Sequence, residues 1–589
     1  MIKTLMKCIR EYKLSSILTP IFITIEVVME TFIVFTIKDL INMMEYGTLQ
    51  DVSKYAFILI GLALVSLFCG IANGITGAKA SAGFASNVRH DLFHKVQDFS
   101  FENIDKFQSS SLVTRLTTDV SNLQMAYQMI LRIAIRCPLM IIFSIIMAFN
   151  IDSELAWIFV IAMPILGLSL LLIARKVMPV FRKLFKKYDK LNNSIQENVK
   201  GIRVVKSYVR EDYEIDRFND ASNELCKDFT KAEKVLALNN PIMQVCIQVC
   251  ALLIAFCAAK TICTHTSVFT GKLSTLQVGD LSSLITYGIQ MLSGMMMLSF
   301  IFVMLTMSVE CARRVCEVLN TESTLTNPTN PVYEINDGSI SFKNVSFKYS
   351  ENAKKYALSG VNLEIESGMV VGILGSTGSS KTTLVNLISR LYDVSEGSVL
   401  VGGRDVREYD LDTLRKQVSI VLQKNVLFSG TIKDNLRWGN KDASDEEMIE
   451  ACKLAQAHDF IESFTDKYDT FIEQGGTNVS GGQKQRLCIA RALLRKPKIL
   501  ILDDSTSAVD TKTDALIRKG LKEYIPETTK IIIAQRVASI KDADKIIVME
   551  NGTINAIGTH KELLASNAIY KEVYYSQNTK KKKGSDVNE

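Results

Sequence analysis

The stretch VVGILGSTGSSKTT, residues 370–383, joins a short apolar run to a glycine-rich turn that ends in a lysine and two threonines. A turn of this kind, between a strand and a helix, points backbone N–H groups at phosphate oxygens at the positive end of the helix dipole. The phosphate-binding pattern G-x-x-x-x-G-K-[ST] requires glycine directly before the lysine, and this chain has Ser380 there. The stretch therefore predicts an α/β nucleotide-binding domain with an imperfect phosphate-binding loop. Another type of glycine–lysine turn is the alternative.

Each position of this loop has a predicted role. Lys381 is expected to reach the β- and γ-phosphates of ATP, and the hydroxyl of Thr382 is expected to bind Mg²⁺. The predicted cofactors are therefore ATP and Mg²⁺. The candidate ATP-binding residues of the loop are Gly375, Ser376, Thr377, Gly378, Ser379, Ser380, Lys381, Thr382 and Thr383.

Two further motifs support this interpretation. ILILDD (499–504) reads as a buried strand that ends in Asp503, a position from which a carboxylate holds Mg²⁺ through water. VSGGQKQR (479–486) resembles the LSGGQ signature of the ATP-binding cassette (ABC) proteins. The resemblance covers roughly residues 10–575, and over the first half it is to the membrane domain of exporter-type ABC half-transporters.

The membrane half is predicted from six apolar stretches, since a bilayer core needs about 20 mostly apolar residues per helix. Hydrophobic residues make up 48% of the 589 residues and the mean hydropathy is +0.16, although 22% of the chain is charged. The six predicted spans are 14–37, 55–78, 125–149, 155–178, 236–261 and 281–307. We therefore predict an α-helical six-span transmembrane domain followed by an α/β ABC nucleotide-binding domain.

Two long polar loops, 79–124 and 179–235, favour helix and are predicted to extend the spans into the cytosol. Their turns are expected near 114–123 and 208–214. By the positive-inside rule, the lysines and arginines of 176–234 place these loops, the N-terminus and the C-terminal half in the cytoplasm. The chain is thus predicted to be a multi-pass protein of the plasma (inner) membrane, in contact with lipid.

The domain boundaries follow from changes in composition. We predict a membrane domain over 1–320, a linker rich in proline, asparagine and threonine over 321–338, a nucleotide-binding domain over 339–575 and a lysine-rich disordered tail over 576–589. A net charge of +6 is modest for this length, so no nucleic-acid partner is predicted. The twelve cysteines form neither a CxxC pair nor a zinc pattern.

The family resemblance assigns roles to further residues. It implies that Tyr349 stacks on adenine, that Gln423 senses the γ-phosphate and Mg²⁺, and that 507–510 form the D-loop. In this family two nucleotide-binding domains close head-to-tail, so each ATP lies between one chain's phosphate loop and the other chain's signature. The residues that would cap the ATP of the partner chain are Ser480, Gly481, Gly482 and Gln483.

The chain departs from the family pattern at three positions of one composite site. Asp504 stands where active members have the glutamate that polarises the attacking water, and it is one methylene shorter. Gln535 stands at the switch histidine and cannot carry a positive charge. Ser380 adds a side chain where the backbone must approach phosphate, and we expect a strained φ there. The alternative is a fully active enzyme with tolerated substitutions.

These departures predict a site that binds ATP but hydrolyses it slowly, beside an intact signature. A homodimer would then contain two poor sites. The expected partner is a non-identical half-transporter that supplies the glutamate and the histidine. The leading function is a subunit of a heterodimeric exporter of small amphipathic, drug-like compounds. A lipid or lipid-linked-glycan flippase and a regulatory or ATP-gated, non-pumping subunit are the alternatives.

Charged side chains also occur inside the predicted spans, where they are costly and often functional. They are Glu26 and Glu30, one turn apart in the first span, and Arg132 and Arg136, one turn apart in the third. The glutamates either attract cationic drugs or pair with the arginines and hold the bundle together. The methionine cluster of the sixth span, 291–297, either lines a promiscuous pocket or packs against neighbouring helices and lipid.

Overall fold

The computed structural model describes residues 1–46, 48–107, 109–269, 276–351, 353–504 and 509–585. In the described part of the first 320 residues, the regular elements are helices, joined by short turns. Their helices are α1 (Ile2–Lys7), α2 (Lys13–Tyr46), α3 (Leu49–Gln97), α4 (Phe101–Phe107), α5 (Ser109–Thr114), α6 (Val120–Ile151), α7 (Ser153–Lys200), α8 (Ile202–Ser207), α9 (Glu211–Leu236), α10 (Asn239–Thr264) and α11 (Val278–Asn320).

Six of the helical segments in the described part of the chain are long and apolar enough to cross a membrane. The predicted six-span architecture is therefore confirmed. The spans lie in α2, α3, α6, α7, α10 and α11. Helices α3 and α7 have 49 and 48 residues, roughly twice the length that a bilayer core requires. The extra length supplies the polar helical extensions that the sequence predicted.

The first turn between extensions lies elsewhere than expected. Residues 114–123 are helical and pass from α5 into α6 through a π-helical segment, Arg115–Asp119. The chain turns instead at 98–107, between α3 and α5. The side chain of Asn103 accepts hydrogen bonds from the backbone N–H and the hydroxyl of Ser100, at 3.2 and 2.8 Å, and this pair begins α4.

This correction has a physical reason. The sequence of 114–123 is rich in threonine, aspartate and asparagine, which favour turns when packing does not decide. Here Asp119 is buried and accepts two hydrogen bonds from Arg314, at 2.8 and 2.5 Å, so packing against α11 keeps this segment helical. The second turn lies close to its predicted place, because Tyr208–Arg210 separate α8 from α9.

The chain divides into two compact units. One comprises residues 1–97 and 108–321. The other comprises residues 98–107 and 322–589, so the short helix α4 groups with the C-terminal unit. The stretch between α11 and the first strand has no helix or strand of its own.

The C-terminal unit is an α/β domain. Its strands are β1 (Ile340–Phe347), β2 (Leu358–Ile365), β3 (Val370–Gly375), β4 (Glu396–Val401), β5 (Arg404–Asp405), β6 (Val418–Val421), β7 (Gly430–Thr431), β8 (Phe471–Ile472), β9 (Ile499–Asp503), β10 (Thr529–Ile533), β11 (Lys545–Glu550) and β12 (Thr553–Gly558). Its helices are α12 (Lys381–Ile388), α13 (Leu411–Gln417), α14 (Ile432–Arg437), α15 (Asp445–Leu454), α16 (His458–Glu462), α17 (Gly481–Leu493), α18 (Thr511–Tyr524), α19 (His560–Ser566) and α20 (Ala568–Ser585).

The larger sheet has the strand order β12-β11-β3-β10-β9-β6 and is parallel except for β12. All five residues of β9 are buried, as expected for a strand covered on both faces. A smaller antiparallel sheet has the order β2-β1-β4-β5. Parallel strands end at a common edge, and in such sheets ligands bind beyond the carboxyl ends of the strands.

The last helix, α20, continues to Ser585 and so covers most of the stretch that the sequence predicted to be a disordered tail. Lysine has a good intrinsic helix propensity, and the prediction considered only the charge of this stretch. Residues 586–589 lie outside the described residues.

Candidate nucleotide-binding site

Four loops that carry predicted site residues leave one edge of the larger sheet. The phosphate loop follows β3, Asp503 ends β9, Gln535 follows β10 and Gln423 follows β6. The register aligns Ile533 with both Asp503 and Ile373, so the carboxyl ends of three neighbouring strands lie at one level. The fold therefore brings these separate motifs together.

Lys381 lies folded over the phosphate loop. Its ammonium group donates hydrogen bonds to the carbonyl oxygens of Gly375 and Ser376, at 2.8 Å each. Burial lowers the pKa of Lys381, while the nearby Asp503 and Asp504 raise it. The loop thus holds a desolvated cation close to its own backbone, which suits a polyphosphate anion.

Two residues of the loop have left-handed backbones. Gly378 has φ +84°, and a Cβ there would meet no atom within 4 Å. Ser380 has φ 69° and ψ 27°, a conformation that glycine adopts without cost and other residues rarely adopt. Ser380 precedes α12 and makes no capping hydrogen bond with its side chain. Ser380, which stands where the phosphate-binding pattern has glycine, therefore has a strained backbone.

Two of the three residues predicted to contact magnesium, Thr382 and Asp503, are neighbours. The Thr382 hydroxyl donates a hydrogen bond to the Asp503 carboxylate at 2.8 Å. Asp503 is only 2% exposed, and burial raises its pKa while the bond from Thr382 lowers it. A buried carboxylate beside a hydroxyl is the type of oxygen pair that Mg²⁺ prefers. The residues present therefore fit the ion that the sequence predicted.

Asp504 accepts a hydrogen bond from a glutamine amide. Gln535 Nε2 donates to Asp504 Oδ2 at 2.9 Å. Burial raises the pKa of Asp504, and the amides of Gln423 and Gln535 lower it. Asp504 itself has φ 47°, in the left-handed region. The residues predicted at the glutamate position and at the switch position thus contact each other directly.

The aromatic side of the site is built around Tyr349. Its hydroxyl lies 2.8 Å from the hydroxyl of Thr383, and its ring is 46% exposed. The ring also packs edge-on against Tyr392, with ring centres 5.3 Å apart. Both tyrosines line a cavity of about 470 Å³ in the C-terminal unit. An exposed aromatic face beside the phosphate loop can stack on a base.

Sequence reasoning did not identify Tyr392. Its hydroxyl donates to Asp105 of α4 at 2.7 Å, and burial together with Asp105 raises its pKa above the usual range. Tyr392 therefore connects Tyr349 to the turn at 98–107. No sequence motif contains Tyr392. Its position, four residues after the end of α12, is the only feature of the sequence that could have suggested a place near the site.

The signature residues adopt a regular helix start. Ser480 Oγ accepts from the Gln483 N–H at 3.3 Å, and Gln483 Oε1 accepts from the Ser480 N–H at 2.9 Å. This reciprocal pair is a capping box at the start of α17. Gly481 and Gly482 form the first turn. The four signature residues thus present a well-formed helix N-terminus, to which anions bind readily.

The D-loop is only partly described. Ser507 and Ala508 lie outside the described residues. Val509 is buried, and the Asp510 carboxylate accepts hydrogen bonds from the N–H groups of Lys512 and Thr513, at 3.1 and 3.0 Å. Asp510 therefore caps α18.

In the membrane half, three of the four predicted intramembrane charges form an ion-paired cluster. Arg136 donates to Glu26 at 2.6 Å and to both oxygens of Glu30 at 2.6 and 2.8 Å. Asn73 of α3 donates to Glu26 at 3.2 Å. The aliphatic part of Arg132 lies over Gly77, where a Cβ would be 3.2 Å from its Cδ. These contacts join three spans and favour the interpretation that the charges hold the bundle together.

The methionines of the sixth span also pack. Met291 is fully buried, and Met295 and Met296 contact the hydrophobic core of the membrane half. Met297 is exposed at 45%. The cluster therefore serves mainly as core, and one methionine remains on the surface.

Comparison with known proteins gives matches over both halves. Residues 16–295 match the family described as ABC transporter transmembrane region, and residues 358–507 match the family described as ABC transporter. The chain is 36% identical over 529 residues to YfiB of Bacillus subtilis, an uncharacterized ABC transporter ATP-binding protein, with 90% of each chain covered. It is 35% identical over 488 residues to YknU, an uncharacterized ABC transporter ATP-binding protein of the same organism. This match covers 83% of this chain and 82% of YknU.

Among solved structures, the chain is similar to a bacterial Atm1-family ABC exporter with ATP bound. The TM-score is 0.80 and the sequence identity is 24%, and the similarity covers 96% of this chain and 98% of that one. The two chains therefore share a fold.

Proposed function

The chain belongs to the ABC transporter family, and we propose that it is one subunit of a heterodimeric exporter that uses ATP to move small amphipathic compounds out of the cell. The exporter-type fold supports outward transport, and the relatives' description as ATP-binding proteins supports ATP as the nucleotide. In this proposal the long cytoplasmic extensions transmit movement between the nucleotide-binding domain and the spans.

The residues present suit ATP with Mg²⁺. The phosphate loop 375–383 would hold the phosphates, and Tyr349 would stack on the adenine. Thr382 and Asp503 would hold Mg²⁺, with Gln423 beside them. When bound, the ion would supply positive charge to the phosphate oxygens. The chain's own contribution is to orient these groups and to keep the Asp503 carboxylate buried and close to the ion's place.

One observation carries the proposal that this site hydrolyses ATP slowly. The Asp504 carboxylate accepts a hydrogen bond from Gln535 at 2.9 Å. A general base must be free to accept the proton of the attacking water. One oxygen of this carboxylate already accepts an amide N–H, and the side chain is one methylene shorter than glutamate. The site therefore suits binding better than hydrolysis.

The intact signature supports the other half of the proposal. Ser480 and its capping box are regular, and in this family the signature serves the ATP of the opposite chain. A different subunit with a glutamate and a histidine at the positions that correspond to Asp504 and Gln535 would then form a competent site with this chain. The pair of nucleotide-binding domains, one from each subunit, would contain one slow site and one fast site.

The test uses the full-length chain alone, in lipid nanodiscs, with Mg-ATP. We expect tight ATP binding and little turnover, because the site lacks a free base. Asp504→Asn should leave the remaining rate nearly unchanged. Brisk hydrolysis by the isolated chain that Asp504→Asn abolishes would contradict the proposal.

The substrate class is tested in vesicles that contain the heterodimer. Amphipathic dyes that accumulate only with hydrolysable ATP would support export, whereas movement of labelled lipid alone would identify a flippase. Accumulation without hydrolysis would indicate a gated, non-pumping subunit.

Glu26→Gln should reduce transport of cationic and neutral dyes alike, because Glu26 is bonded to Arg136 and Asn73. A loss confined to cations would instead assign Glu26 to the substrate.

A further inference from the structure

Gln577, on the last helix, makes two hydrogen bonds to the backbone of the switch loop. Its Oε1 accepts from the N–H of Val537 at 2.9 Å. Its Nε2 donates to the carbonyl oxygen of Gln535 at 2.8 Å. One amide side chain therefore holds the backbone on both sides of Arg536. No motif identifies Gln577, which lies in the stretch 576–589 that is predicted to be a disordered tail.

The helix that carries Gln577 is firmly anchored. Tyr570 is fully buried and its hydroxyl lies 2.7 Å from Nδ1 of His560. Val573 and Tyr574 pack against the hydrophobic core of the domain. Positions 570, 573, 574 and 577 lie on one face of a helix, because they are separated by three, four and seven residues. Gln577 is the polar end of this packed face.

These two bonds hold the switch loop, residues 535–537, to α20. Val537 begins a short 3₁₀ turn, and Arg536 before it makes no capping hydrogen bond with its side chain. The N–H of Val537 thus finds its acceptor on α20 rather than in its own loop. The Gln535 carbonyl belongs to the residue whose side chain donates to Asp504. Fixing this carbonyl fixes the direction in which the Gln535 side chain leaves the backbone.

We propose that Gln577 is the positioning residue for Gln535, and that the last helix thereby sets how tightly this chain holds the γ-phosphate of ATP at its own site. The proposal rests on the proposed function, in which this site binds ATP and hydrolyses it slowly. Glutamine at the switch position can hydrogen-bond a γ-phosphate but carries no charge. The strength of its contact therefore depends on geometry, which Gln577 provides.

The chemistry of the amide explains why glutamine is needed. An amide offers one acceptor and two donors on a planar group, so it satisfies an N–H and a carbonyl at once. Glutamate keeps the acceptor for Val537 but cannot donate to Gln535. Methionine has a similar length and keeps the apolar stem, but it offers neither strong bond.

The experiment measures equilibrium binding of Mg-ATP and Mg-ADP by the full-length chain in lipid nanodiscs. Gln577→Met should weaken Mg-ATP binding by about fivefold, the usual size of one lost hydrogen-bonding contact. Mg-ADP binding should be unchanged, because ADP lacks the γ-phosphate. Gln577→Glu should behave like Gln577→Met, since it also loses the bond to the Gln535 carbonyl. Glu572→Gln, an exposed change on the same helix, is the matched control and should alter neither affinity.

A second background separates positioning from general stability. In a Gln535→Ala chain, Gln577→Met should have no further effect on Mg-ATP binding, because the side chain that it positions is gone. Equal weakening of ATP and ADP, or the same fivefold loss in the Gln535→Ala background, would overturn the proposal. Failure of the proposed function would give a different result, because the unmodified chain would then hydrolyse ATP briskly.

Discussion

Two regions of the nucleotide-binding domain differ in how their backbones are built. The phosphate half, which comprises 375–383, 503, 504 and 535, contains Ser380 and Asp504 in the left-handed region, with φ 69° and 47°. The signature half, 479–486, begins α17 from Ser480 with φ −67° and ψ 158° and a complete capping box. The first region is strained at two positions where the sequence predicts a departure from the family pattern, whereas the second begins its helix with a complete capping box.

The two regions also differ in the energetic cost of their backbone conformations. A left-handed residue other than glycine costs roughly 1–2 kcal/mol, and a good N-cap contributes about 1 kcal/mol. The phosphate half keeps its shape despite this cost, and its carboxylate at 504 accepts a hydrogen bond from Gln535. The signature half keeps both its sequence and its geometry. This contrast is what a subunit would show if it bound one ATP and helped to hydrolyse another.

The largest expected effect comes from a charge in the signature half. Gly481→Asp in the complex with the partner subunit should lower ATP turnover on the order of 100-fold, as losing a preorganised anion site does. The helix should still form, because aspartate in a first turn is compatible with the helix dipole. Turnover is measured as phosphate release. The comparison variant is Asp504→Asn in the same complex, for which we expect less than about a twofold change, since this carboxylate already accepts a hydrogen bond from Gln535 and is not expected to act as the base.

Equal losses from the two variants would remove the contrast between the halves. A larger loss from Asp504→Asn would reverse it and assign the fast site to this chain.

The second effect tests whether the phosphate half binds at all. Lys381→Met should weaken Mg-ATP binding by the isolated chain about 30-fold, the usual size for hydrogen bonds to a charged group. Lys512→Met removes an exposed lysine from α18 and is the matched control. Binding is measured by equilibrium titration in nanodiscs. Unchanged binding in Lys381→Met would show that the loop holds no phosphate.

Much of this contrast can be derived from sequence, since each motif has fixed spacing and a definite place at the end of a strand. The glycine missing at Ser380 predicts the left-handed strain that the structure has. The six spans follow from length and hydropathy alone. In each of these cases the local sequence determines the outcome.

Long-range packing determines the features that the sequence did not reveal. The turn at 98–107 contains three aromatic residues and resembles a buried helix, while 114–123 resembles a turn until Asp119 meets Arg314. Gln577 lies 40 and 42 positions from the two loop residues that it contacts, Val537 and Gln535. A side chain that bonds only to backbone leaves no signature in the residue it contacts, so no pattern could have paired Gln577 with Gln535.

The third prediction restores chemistry to the phosphate half. Asp504→Glu combined with Gln535→His should raise ATP hydrolysis by the isolated chain roughly tenfold, a part of the usual contribution of a general base. The longer carboxylate would reach further and would no longer face an amide donor from position 535. The control is Asp504→Glu alone, which keeps the amide of Gln535 and should gain less. No gain in the double variant would mean that other features keep the site slow.

The smallest effect is expected at the strained serine. Ser380→Gly should tighten Mg-ATP binding by about threefold, because glycine adopts φ 69° without a steric penalty and lets the loop backbone approach phosphate more closely. The stability of the fold should change little, since the strain relieved at φ 69° is offset in part by the greater freedom that glycine gives the unfolded chain. Affinity is measured by titration with Mg-ATP.

Ser376→Gly is the control for this change. Ser376 lies in the same loop and is not among the residues with positive φ, so its replacement relieves no strain and should not improve binding. If Ser380→Gly weakened binding instead, the Ser380 hydroxyl would be a phosphate contact and the serine would be an adaptation for holding ATP. If both variants tightened binding equally, loop flexibility rather than strain at 380 would limit affinity, and the contrast between the two halves would then rest on Asp504 and Gln535 alone.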